Sequence, residues 1–132
     1  HLMPVARNPK DFVKHATAMI DLSDGLFIDL SRLCDESRVG ARIYIKHIPV
    51  SGQLKKASAA LKTDPLNLAT SGGEDYELLF TAPPDYRPRA MSHKLKITCI
   101  GEITKKGRVA VDKHGKESAF KAEGYQHYGI QR

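Results

Sequence analysis

The hydrophobic and polar positions switch between two periods along the chain. Residues 16–22 read Ala-Thr-Ala-Met-Ile-Asp-Leu, a short run apolar enough for a buried strand, and Ser23-Asp24-Gly25 breaks it. Beyond the break, Leu26, Ile28, Leu30, Leu33 and Cys34 approximate one helical face, with Asp29, Arg32, Asp35 and Glu36 opposite. Ser23 and Asp24 are both suitable N-caps for that helix, and Val39-Gly40 supplies its stop. Residues 41–45 alternate as a strand, and 53–62 suit an amphipathic helix, with a shorter helix expected over 64–69. Ser71-Gly72-Gly73 then turns into a strongly apolar strand over 76–81, which Pro83-Pro84 ends. A helix is expected over 85–95. Strands are expected over 96–103 and 108–112, joined as a hairpin around Lys105-Lys106-Gly107 and closed at Gly115. Strands and helices mixed in this order predict an α+β fold, an α/β sandwich whose mixed β-sheet is flanked by helices.

Length and composition narrow the class. The 132 residues suit one domain with its own core, here 16–132, preceded by a linker over 1–15. No run reaches the roughly 20 apolar residues of a membrane helix. The opening His1-Leu2-Met3-Pro4 lacks the basic and apolar regions of a secretory leader. His1-Leu2 ahead of Met3 is expected to be foreign to a natural start, and the chain to be a piece of something longer. Cys34 and Cys99 form no paired motif and read as reduced, buried thiols of a cytoplasmic protein. The net charge of +6 is spread along the chain without aromatic interleaving, so a solvated surface is favoured over a nucleic-acid face.

Two segments place carboxylates beside small residues at the edge of an apolar stretch. They are Ile20-Asp21-Leu22-Ser23-Asp24-Gly25-Leu26 and Ser71-Gly72-Gly73-Glu74-Asp75-Tyr76-Glu77-Leu78-Leu79-Phe80. Neither matches a P-loop or the dinucleotide fingerprint. If Asp21 ends a strand and Asp24 starts a helix, both can face one cleft and share Mg²⁺ with phosphate oxygens. Ser23 and the first-turn amides would suit a phosphate. The spacing alone also fits a plain cap with Asp21 at the surface, and an ordinary turn with solvated acids at Glu74-Asp75. Tyr76, Leu78 and Phe80 are core candidates. The six histidines show no zinc spacing, and no nucleophile motif supports covalent catalysis.

Together the two segments resemble the thiamine-monophosphate kinase family, within the superfamily of aminoimidazole ribonucleotide (AIR) synthetase, selenophosphate synthetase and a hydrogenase maturation protein. Ser37-Arg38-Val39-Gly40-Ala41, Ile48-Pro49-Val50, Ile100-Gly101-Glu102-Ile103 and Gly124-Tyr125-Gln126-His127-Tyr128 extend the resemblance over 16–128. It implies the superfamily's C-terminal domain, a mixed sheet covered by helices. It also implies ATP- and Mg²⁺-dependent phosphorylation of thiamine monophosphate to thiamine diphosphate by in-line transfer. By the same resemblance Asp21 and Asp24 are Mg²⁺ ligands, Ser23 contacts ATP, and Glu74 and Tyr125 line the thiamine pocket, with Tyr128 a neighbour of Tyr125. The family's N-terminal half brings further acids and dimerises around the ATP site, so this part alone is expected to be inactive. Two rival readings are another reaction of the same superfamily and a non-catalytic nucleic-acid-binding domain. The Glu74-Asp75-Tyr76-Glu77 string argues against the first, and the scattered charge against the second.

Overall fold

The computed structural model describes residues 13–62, 77–86 and 97–120. A 3-10 turn at Val13–His15 leads into strand β1, Ala18–Asp21, then helix α1, Leu26–Ser37, and strand β2, Gly40–Tyr44. A second 3-10 turn, Ile45–His47, precedes helix α2, Gly52–Leu61. Strands β3 (Leu78–Thr81), β4 (Gly101–Thr104), β5 (Arg108–Val111) and β6 (Glu117–Ala119) follow. The fold is α+β, and the described residues form a two-stranded sheet, β1-β3, and a four-stranded mixed sheet in the order β4-β2-β5-β6.

Helix α1 is the centre of the core because its apolar positions recur at three- and four-residue intervals. Leu26, Phe27, Leu30 and Cys34 pack on Ala41 and Ile43 of β2, Ala110 of β5, and Ile45, Ile48 and Phe120. Each fully buried aliphatic or aromatic side chain in that layer contributes about 1.5–3 kcal/mol. Phe27 and Phe120 meet at a centroid distance of 4.8 Å, tilted by 51°, a favoured aromatic arrangement. Ser31 is buried within α1, and its hydroxyl donates to the Phe27 carbonyl at 2.7 Å, so the polar atom is satisfied.

The four-stranded sheet buries one face and charges the other. Ala41 and Ile43 point into the core, while Arg42 and Tyr44 lie half-buried on the outer face. There Arg42 pairs with Glu117 of β6 and lies 3.9 Å from Glu102 of β4, and the Tyr44 hydroxyl donates to Glu102 at 3.3 Å. This alternation is what a one-sided sheet requires.

The chain departs from the sequence-based expectations at several points. Strands β4 and β5 are not a hairpin. β2 lies between them, antiparallel to β4 (Ala41↔Ile103) and parallel to β5 (Ala41↔Arg108). The connection at 105–107 therefore crosses the start of β2, which is possible because Gly40 presents no side chain there. Gly40 accordingly opens β2 rather than stopping α1. The helix ends instead at Arg38, in the left-handed conformation (φ 54°, ψ 45°), with its N–H directed to the Asp35 and Cys34 carbonyls. The strand expected over 96–103 is shorter and ends one residue later. β1 and β3 are half-buried rather than buried, since their small sheet packs on the core mainly through Leu22 and Leu79. Cys34 is buried as expected, but Cys99 is exposed; both thiols are free. Of the helix expected over 85–95, only Asp85 and Tyr86 are described. They form a turn in which the Tyr86 N–H donates to the Pro83 carbonyl at 2.9 Å. The helix expected over 64–69 lies outside the described residues.

Candidate functional site at the turn between β1 and α1

Asp21 closes β1 opposite Leu78 of β3. The pairing continues one step past the strand, where the Leu22 N–H donates to the Glu77 carbonyl at 2.8 Å. The turn Ser23-Asp24-Gly25 thus leaves β1 beside Glu77, the only described residue of the Gly-Gly-Glu-Asp-Tyr-Glu string. Glu74, Tyr125 and Tyr128 lie outside the described residues.

The turn is built around an acid that the apolar periodicity of α1 puts on the polar face. Asp29 is fully buried within α1. Its Oδ2 accepts the backbone N–H of Ser23 at 2.8 Å, of Asp24 at 3.0 Å and of Gly25 at 3.3 Å. The Asp29 N–H in turn donates to the Gly25 carbonyl at 3.0 Å, closing a ring between turn and helix. Gly25, the residue preceding the helix, has φ +124° and ψ 152°, a backbone state that suits glycine, and no side chain caps the helix. Ser23 and Asp24 are therefore not N-caps. A carboxylate from inside the first turn instead holds three amides of the turn that precedes the helix.

The other oxygen of Asp29 carries the network outward. Arg32 Nη1 donates to Asp29 Oδ1 at 2.9 Å and lies 2.5 Å from Asp24 Oδ2. Asp24 and Arg32 are about half exposed, whereas the Asp29 side chain is only 1% exposed. Burial pushes the Asp29 carboxyl up, but the amides of Asp24, Ser23 and Gly25 together with Arg32 outweigh it and hold its pKa below the ordinary value. The Asp24 carboxylate, ahead of Asp29, raises the pKa of Arg32 further, so that side chain remains a cation.

This geometry changes the chemistry expected of the turn. The Ser23, Asp24 and Gly25 amides are spent on Asp29, and a negative charge already lies at the electropositive end of α1, whose first-turn amides the sequence suits to a phosphate. What the turn presents to solvent is the side chains of Asp21, Ser23 and Asp24, all exposed. Such a surface attracts a cation before an anion. Among the described residues no group of three or more His, Cys, Asp or Glu could hold a metal ion, so Asp21 and Asp24 offer only part of a coordination shell. A sequence signal for Asp29 did exist: positions 26, 29, 30 and 33 follow the three- and four-residue rhythm of one helical stripe, which puts Asp29 among the core leucines.

Comparison with known proteins supplies the family. Residues 4–114 match the profile described as AIR synthase related protein, C-terminal domain. The chain is similar to the thiamine-monophosphate kinase of Aquifex aeolicus, at 36% identity over 97% of this chain and 40% of that protein. It is likewise similar to the thiamine-monophosphate kinase of Haemophilus influenzae, at 36% identity over 80% of this chain and 34% of that protein. Among solved structures, one of AaThiL complexed with AMPPCP and TMP superposes with a TM-score of 0.69 at 34% identity, covering 90% of this chain and 36% of that one. The chain thus spans well under half the length of these relatives. It belongs to the AIR synthase related family as a C-terminal domain, and its relatives there are thiamine-monophosphate kinases.

Proposed function

We propose that this chain is the C-terminal part of a thiamine-monophosphate kinase, which transfers a phosphoryl group from ATP to thiamine monophosphate and forms thiamine diphosphate. The observation that carries the reading is the β1–β3 pairing, continued through Leu22 and Glu77, which sets the Asp21–Asp24 turn beside the described end of the second segment. Asp21 and Asp24 are hard oxygen donors in the solvent-facing position that Mg²⁺ requires. When bound, Mg²⁺ neutralises charge on the phosphate oxygens during transfer. In this chain Asp21 and Asp24 would hold the ion, Ser23 would contact ATP, and Asp29 keeps the turn that carries Ser23 and Asp24 in one shape. Glu74 precedes Glu77 by three residues, a reach of roughly 10 Å along the chain. Glu74 and Tyr125 are assigned to the thiamine-binding side. The proposed full-length enzyme is cytoplasmic and homodimeric, with an N-terminal domain that finishes the site Asp21 and Asp24 begin, and this part is inactive alone.

The test is conversion of thiamine monophosphate to thiamine diphosphate by the full-length protein that contains this chain, with ATP and Mg²⁺, alongside its Asp24→Asn variant. Turnover that collapses in the variant supports the kinase and the role of Asp24. A folded parent without turnover would refute the reading.

A further inference from the structure

We propose that Arg32 is a resident counter-ion of Asp24, which a divalent cation displaces to reach that carboxylate; the inference rests on the metal-binding reading above. A single nitrogen, Nη1, serves both acids, at 2.9 Å from Asp29 Oδ1 and 2.5 Å from Asp24 Oδ2. The two ends of this bridge are not alike. Asp29 is buried and anchored by three backbone N–H groups as well as by Arg32. Asp24 is half exposed. Any competitor from solvent therefore opens the bridge at Asp24 and leaves Arg32 attached to Asp29. A cation arriving at Asp24 gains a carboxylate but must break this pair and then tolerate a tethered positive charge beside it. Arg32 thus weakens metal binding in the resting chain.

The guanidinium is half exposed, so breaking its pair with Asp24 costs what surface pairs cost, up to about 1 kcal/mol. Arg32→Gln in the full-length protein is expected to tighten Mn²⁺ binding roughly two- to five-fold, the same quantity expressed as a ratio. Equilibrium titration of free Mn²⁺ by its paramagnetic resonance signal reads this without turnover. Arg32→Lys keeps the charge and is expected to stay closer to the parent than the glutamine variant. Thermal melting verifies that each variant is folded. Mn²⁺ binding that is lost in Asp24→Asn but unchanged or weaker in Arg32→Gln would overturn the counter-ion role while leaving the metal site standing. A parent that binds no Mn²⁺, or binds it equally well as Asp24→Asn, would overturn the metal site and this inference together.

Discussion

Gly40 lies beneath the carbonyl of Gly107, which the neighbouring Ala41 N–H holds at 2.9 Å. A Cβ at position 40 would run into that oxygen, into the carbonyl carbon of Lys106, and within 2.5 Å of Thr104 Oγ1. Two of the three obstacles are backbone and cannot swing aside. Gly40→Ala is therefore expected to cost about 3 kcal/mol, the upper end of overpacking penalties. Gly52, at the start of α2, has open space around it, and Gly52→Ala is expected to be neutral or slightly stabilising. Urea denaturation of the two variants side by side separates the cases.

Removing the Asp29 carboxylate strands three backbone N–H groups and the inner side of Arg32. Asp29→Ala should lose on the order of 3 kcal/mol, as expected when one partner of a buried charged network is deleted. Asp29→Asn retains an oxygen for the amides but not the charge, and should lose about half as much. Hydrogen exchange at Ser23, Asp24 and Gly25 should accelerate in both, which a general loss of core packing would not confine to those residues.

The lowered pKa of Asp29 sets the sign of an acid dependence. A carboxylate whose folded-state pKa is depressed contributes stability that is fully present above its unfolded value. That contribution disappears as the pH falls through the lower folded value. Parent stability should therefore decline across this acidic window, and the decline should be shallower in Asp29→Asn. Equal slopes in the two proteins would show that Asp29 does not carry the effect.

Only one thiol should be open to a modifying reagent in the folded chain. Burial pushes the Cys34 thiol up in pKa and shields it, whereas Cys99 is exposed. Alkylation under native conditions should label Cys99 alone, and labelling in denaturant should reach both. Rapid native labelling of Cys34 would contradict the buried position of α1.

How much of this was legible beforehand depended on the kind of interaction. β1, α1, β2 and β3 follow from local apolar patterning, whereas α2 forms where its amphipathic pattern expects a helix although Ser58 is the only buried one among its described side chains. Alternation in the chain could not reveal that β2 inserts between β4 and β5. That arrangement rests on Gly40 meeting a loop more than sixty positions later, and Lys105-Lys106-Gly107 reads as a hairpin turn to any local rule. In the same way Asp21, Ser23 and Asp24 stand out as acids beside a break. Asp29 looked like one more polar residue on a helix, because its value lies in the three amides it receives from the turn. The helix stop moved from Gly40 to Arg38 for a related reason: the glycine was needed for the crossing, and an arginine took the left-handed backbone instead.

The position of β2 also has a consequence for how the chain is made. Its two neighbours, β4 and β5, begin at Gly101 and Arg108, about sixty residues after β2 ends at Tyr44, and β1 likewise waits for β3. During that interval β2 has two open edges and a row of unmet backbone donors and acceptors, the condition in which strands recruit one another between molecules. Contacts this distant along the chain slow folding and prolong the exposure. A nascent chain interrupted between residues 45 and 100 should therefore be the most aggregation-prone form of this protein, while one that extends past Phe120 can close its sheet.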